Sequence, residues 1–65
     1  MIKLTKINGE SVLINPIQIE FIECIPESKI IMMNGRFHIV SESQDEIMKL
    51  ASEFFKGLIE VNQSR

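Results

Sequence analysis

The sequence predicts an α+β fold, a small antiparallel β-sheet of four to five short strands followed by one C-terminal amphipathic α-helix. Three observations carry that expectation. Asn8-Gly9 and Asn34-Gly35 each stand between apolar runs, the strongest short-range signal for a hairpin. Ile17, Ile19 and Phe21 alternate with Gln18 and Glu20, the period of a strand with one dry face. Ser43 stands three residues before Glu46, the spacing of a capping box, and apolar residues then recur at intervals of three and four.

Taken in order, residues 2 to 7 mix apolar and β-branched residues with lysines, then meet Asn8-Gly9. A type I′ turn there, with both central residues at positive φ, returns the chain as a second strand over about 10 to 14. Asn15-Pro16 ends that strand, because proline donates no ladder hydrogen bond and restricts the residue before it. A third strand is expected from Ile17, with Ile17, Ile19 and Phe21 on its dry face. At Ile22 the alternation breaks, since Ile22, Cys24 and Ile25 put apolar residues on both faces. Either a bulge shifts the register or that end is covered on both sides. Pro26-Glu27-Ser28 reads as a turn, Lys29 to Met33 as the next strand, and Asn34-Gly35 as a second hairpin turn. In the return strand Phe37 and Ile39 share one face, and His38 and Val40 the other.

The domain is expected to span residues 1 to 61, with strands over about 2 to 40, a helix over about 44 to 61 and a polar tail over 62 to 65. Ile47, Leu50, Ala51, Phe54, Leu58 and Val61 form the helix's inward stripe. Lys49 with Glu53, and Lys56 with Glu60, are four apart on the opposite side, each pair adding about 0.3 kcal/mol. Met48, Phe55 and Ile59 widen the apolar surface to about half the circumference at 100° per residue. A small sheet covers roughly one stripe, so Met48, Phe55, Ile59 and Val61 are the candidate interaction surface.

A chain of 65 residues buries a modest core, and domains of this size commonly draw on disulfides, a metal or self-association. Cys24 is the sole cysteine, and with His38 it supplies only two soft metal ligands, so neither a disulfide nor a structural zinc site is expected. Self-association remains. The net charge of −2 comes from four positive and four negative residues before position 41, and three positive and five negative after it. Neither part carries the basic stripe that phosphate binding uses, so no nucleic-acid partner is expected. No signal-peptide core and no apolar run of membrane-spanning length occurs, which points to the cytoplasm.

Catalytic chemistry finds little material. His38 lies in a strand with no Asp or Ser close in sequence, and reads as a structural or surface residue. Cys24, among apolar neighbours, reads as a small core or interface hydrophobe. Glu20 and Glu23 read as a solvated edge. Asn8, Gly9, Asn34 and Gly35 are candidate turn residues and not a phosphate loop, because no glycine-rich run opens onto a helix. Met32, Met33 and Met48 suit either core filling or an adaptable interface. No catalytic residue, cofactor or metal site is assigned.

The chain resembles the small flagellar proteins of the FlbD and SwrD type from Met1 to about Phe55. The likeness rests on Met1-Ile2 with Leu4-Thr5, Asn8-Gly9, Leu13 with Asn15-Pro16, Ile19-Glu20 and Ile22-Glu23. It continues through Pro26 before an apolar strand, Asn34-Gly35, and Val40-Ser41-Glu42-Ser43 leading into the helix. Phe37-His38 stands where that family tends toward lysine and tyrosine, and Pro26-Glu27-Ser28 replaces its usual Pro-Asp-Thr, departures expected at exposed strand and turn positions. The resemblance implies a non-enzymatic accessory of bacterial flagellar motility, tied to swarming and motor force, in the cytoplasm at the periphery of the motor. Its partner would be a motor or motility-regulatory protein, beside the further copies of itself that the chain's small size and wide apolar helix face suggest.

The alternative is a small RNA-binding regulator similar to the carbon storage regulator family, whose short chains also begin with a strand, a turn and the equivalent of Gly9-Glu10-Ser11 and finish in a helix. Against it stands the acidic Ser41-Glu42-Ser43-Gln44-Asp45-Glu46, which would repel phosphate.

Overall fold

The computed structural model describes residues 1–24 and 26–63, with side chains described as far as residue 59. Five strands, β1 (Ile2–Thr5), β2 (Ser11–Ile14), β3 (Ile19–Cys24), β4 (Ser28–Met32) and β5 (Phe37–Val40), precede the helix α1 (Gln44–Gln63). All pairings are antiparallel, so the α+β class expected from the sequence is the one observed. The strands divide between two sheets, β1-β2 and β3-β4-β5. An isolated bridge between Lys6 and Val40 links the two, giving a spatial order of β2-β1-β5-β4-β3.

Both Asn-Gly pairs turn the chain, by a different geometry from the type I′ turn the sequence suggests. Only the glycines take positive φ, 92° at Gly9 and 87° at Gly35; the asparagines do not. The Gly9 N–H donates to the Lys6 carbonyl (2.9 Å) and Lys6 N–H to the Glu10 carbonyl (2.8 Å). Gly35 and Met32 repeat the pattern with Met32 and Arg36. Each is a longer loop that closes with a glycine bulge. The asparagine's role follows: Asn8 Oδ1 accepts from Glu10 N–H and Asn34 Oδ1 from Arg36 N–H, both at 3.0 Å, an Asx turn that satisfies the amide after the glycine.

Ile17 does not begin the third strand. Asn15 Oδ1 accepts from Ile17 N–H (3.1 Å) and opens a short 3₁₀ turn, Pro16–Gln18, with Pro16 at its first position. In β3, Ile19 pairs with Met32 but Phe21 pairs with the adjacent Ile31, so Glu20 is a bulged extra residue. The bulge reverses the faces. Ile22 packs against the core, while Ile17 and Phe21 are exposed, contrary to the single dry face expected of Ile17, Ile19 and Phe21. Ile25 lies outside the described residues.

The core is aliphatic: Ile2 and Leu4 of β1, Ile14 of β2, Ile30 of β4, Val40 of β5 and Ile47 of α1, with Val12, Ile19, Ile22, Met32, Leu50 and Phe54 packed against them. Ile47 sits in it because Ser43 caps the helix, its Oγ accepting from Glu46 N–H at 3.2 Å. The Ser43 hydroxyl in turn donates to the Glu46 carboxylate at 3.3 Å, so the serine half of the capping box the spacing predicts is present, while the glutamate binds the serine side chain and not its backbone amide. At 1.5 Å per residue α1 is about 30 Å long, whereas a four-residue strand spans about 13 Å. The sheets therefore run out beneath the helix, and the molecule extends to 41 Å along its longest axis.

Candidate interaction surface

That mismatch and the side of the helix on which a residue lies together decide which apolar helix residues are covered. Ile47 is fully buried, and Leu50, Ala51, Phe54 and Gly57 are half-buried, so the near half of the stripe lies on the sheets. Leu58, expected in the inward stripe, is exposed, because it falls beyond the strands' reach. Met48, Phe55 and Ile59, spaced seven and four apart, stack along one side of α1 and are 62%, 42% and 54% exposed. The Phe55 ring meets Phe54 edge-on, with centroids 5.5 Å apart and planes at 82°. Since Phe54 packs against the core, this contact ties the exposed Phe55 to the fixed part of the molecule. The side chain of Val61 lies outside the described residues. Asn8, Gly9, Asn34 and Gly35 form the two hairpin tips described above.

The joint between the sheets holds a residue that the sequence reading left without a role. Thr5 N–H donates to both Glu42 carboxylate oxygens, at 2.8 and 3.1 Å, and the Thr5 carbonyl accepts from Ser41 N–H at 2.8 Å. Both backbone groups of Thr5 are thus satisfied by the segment that leads from β5 into α1. Ser28, expected at an exposed turn, instead starts β4, is buried, and donates from Oγ to the Glu42 carbonyl at 2.7 Å. Burial raises the Glu42 pKa, but hydrogen bonds from Thr5 and from its own backbone amide outweigh that and hold it below the ordinary carboxylate value. Nothing in the local sequence marks Glu42, since its partner is 37 residues away.

The outer face of the three-stranded sheet was also missed. Phe21, Ile31 and Phe37 are register partners across β3, β4 and β5, and Glu23, Lys29 and Ile39 form the next row on the same face. Phe21 and Phe37 are 47% and 55% exposed. Lys29 Nζ lies 4.4 Å from the Phe37 ring centroid, a cation–π contact along the face. The available signal was the pair Ile30-Ile31, which makes β4 apolar on both sides at once.

The titratable groups are dispersed. His38 is half-buried opposite Ile30. Cys24 is exposed and not a core hydrophobe; its Sγ–H donates to Gln44 Oε1 at 3.0 Å, tying β3 to the start of α1. Glu20 and Glu23 are exposed, one in the bulge and one beside Lys29. Among the described residues no three His, Cys, Asp or Glu side chains converge as a metal would require. A shallow groove lined by Glu46, Lys49, Leu50 and Glu53 is an ordinary solvated helix flank. No described helix is long and apolar enough to cross a membrane. What the molecule offers is surface: an apolar row on α1 and another on the outer sheet face.

Compared with known protein families, the chain matches the model for FlbD, flagellar and swarming motility proteins, over residues 1–59. No curated protein and no solved structure matches it.

Proposed function

The chain belongs to the FlbD family of flagellar and swarming motility proteins, and from that premise we propose that it acts without catalysis, by docking a protein of the flagellar motor or of its regulation onto α1. The observation that supports this is the exposed row Met48, Phe55 and Ile59 on a helix whose neighbouring stripe packs on the core from Ile47 to Phe54. An apolar row held rigid by its own core loses little entropy on binding, and the aromatic Phe55 is the type of residue that anchors interfaces. In this reading the chain works in the cytoplasm, at the periphery of the motor, and self-associates. Among the described residues, a core of six buried aliphatic residues with no disulfide is small even for a domain of this length, and a second copy adds buried surface.

Phe55→Glu and Ile59→Glu test the docking. Each places a carboxylate in the row while leaving Ile47, Leu50 and Phe54 on the core. Swarming is expected to fall sharply with the circular-dichroism spectrum unchanged. Normal swarming in both variants at normal protein levels would end the proposal.

A further inference from the structure

Deepening the self-association part of that reading, we propose that a second copy of this chain docks face to face on the outer side of the three-stranded sheet, and not on α1. An antiparallel sheet with one solvated side ordinarily alternates apolar-in and polar-out. Here the outward row Phe21, Ile31 and Phe37 is apolar in all three strands, and both phenylalanines are about half exposed.

The row is self-complementary. A two-fold axis lying between two stacked sheets, parallel to the strands and passing over β4, sets Ile31 against Ile31 and Phe21 of each copy against Phe37 of the other. Each residue then repeats the same contact in both directions, as an isologous interface requires. Aligned stacking of two sheets about 10 Å apart is the ordinary way such faces pack.

The charges obey the same operation. The next row reads Glu23, Lys29 and Ile39 across β3, β4 and β5. The axis carries Glu23 of the second copy across to the β5 side, above Ile39. Lys29 leans to that same side, its ammonium 4.4 Å from the centroid of the Phe37 ring on β5. The two copies' lysines therefore diverge from the axis, and each approaches the other copy's carboxylate. Three narrow strands bury an area at the low end for specific interfaces, so the dimer is a weak one that forms at high protein concentration.

Sedimentation from about 10 μM to about 1 mM reads it, across the range where interfaces of this size associate. The wild-type chain is expected to move from monomer toward dimer. Lys29→Glu and Glu23→Lys, each placing like charges across the axis, are expected to weaken the dimer about tenfold. Mixing the two variants makes both intermolecular pairs opposite in charge again while each chain's own Glu23–Lys29 neighbourhood stays altered, so the mixture is expected to dimerise as the wild type does. Phe21→Ser is expected to weaken the dimer with the fold intact. A wild-type chain that stays monomeric throughout, or a mixture no tighter than either variant, overturns the proposal. So does a dimer abolished by Phe55→Glu but untouched by the sheet-face changes. Loss of swarming in Phe55→Glu with the dimer retained separates the two surfaces, and failure of the swarming test leaves this one standing on its own readout.

Discussion

The two ends of α1 both carry large apolar residues, and those residues meet opposite fates. Its first turns carry Ile47 into the aliphatic core beneath a cap made by Ser43 and Glu46, and β5 leads into them through the Glu42–Thr5 joint. Its later turns leave Leu58 exposed beyond the strands, and Phe55 and Ile59 exposed on the flank that Met48 begins. The difference lies in the reach of the sheets and in which side of α1 faces them rather than in hydrophobicity. An apolar residue contributes to folding in the first region and to recognition in the second, and substitutions separate the two roles.

Ile47→Ala should give the largest effect. Truncating a fully buried isoleucine costs about 2–5 kcal/mol, enough to unfold much of a small domain, while Met48→Ala next to it should stay within about 0.5 kcal/mol in urea denaturation. Equal losses at the two positions would erase the distinction between the buried stripe and the exposed row.

Glu42→Gln comes next. Hydrogen bonds to a charged acceptor are worth up to a few kcal/mol when buried, and partial exposure here reduces the expected loss to about 1 kcal/mol. Because the folded-state pKa is lowered, the carboxylate's contribution is complete above the unfolded-state pKa and is lost as pH falls through the folded value. The wild type should therefore lose stability on acidification more steeply than Glu42→Gln, and parallel pH profiles would show that the joint contributes nothing through its charge. Faster hydrogen exchange at the Thr5 amide should accompany the substitution.

Gly9→Ala and Gly35→Ala should each cost about 1 kcal/mol, since both glycines have positive φ and open space around the missing Cβ. The penalty is conformational, with no clash to relieve. Similar values at the two sites are expected because the turns share one hydrogen-bond pattern.

Sequence patterns exposed what is local. The two hairpins, the serine cap of α1, the break at Asn15-Pro16 and the excess apolar arc of α1 all follow from residues within one turn or strand of each other. The failures share a cause as well. The bulge at Glu20 changed the parity of β3, moving Phe21 outward and Ile22 inward. The turn geometry depended on which residue the glycine followed in the ladder, and two-residue and longer loops carry the same Asn-Gly signature. Glu42 and Ser28 gained their roles only when distant segments met. Of the surface, Met48, Phe55 and Ile59 were visible from helical spacing. The Phe21-Ile31-Phe37 row was not, because cross-strand register is a property of the folded chain.

The smallest expected effect on stability belongs to the change with the largest expected effect on motility. In urea, Ile59→Glu should change the unfolding free energy by no more than about 0.5 kcal/mol, because its side chain is not in the core. Phe55→Glu should change it by about 1 kcal/mol at most, because it also gives up the edge contact with Phe54. Swarming of cells carrying each variant at wild-type protein level, with the purified chain's spectrum and urea midpoint checked alongside, is the most direct test that the far end of α1 is a recognition surface. Loss of swarming with the fold intact is the predicted result; normal swarming in both variants would contradict it.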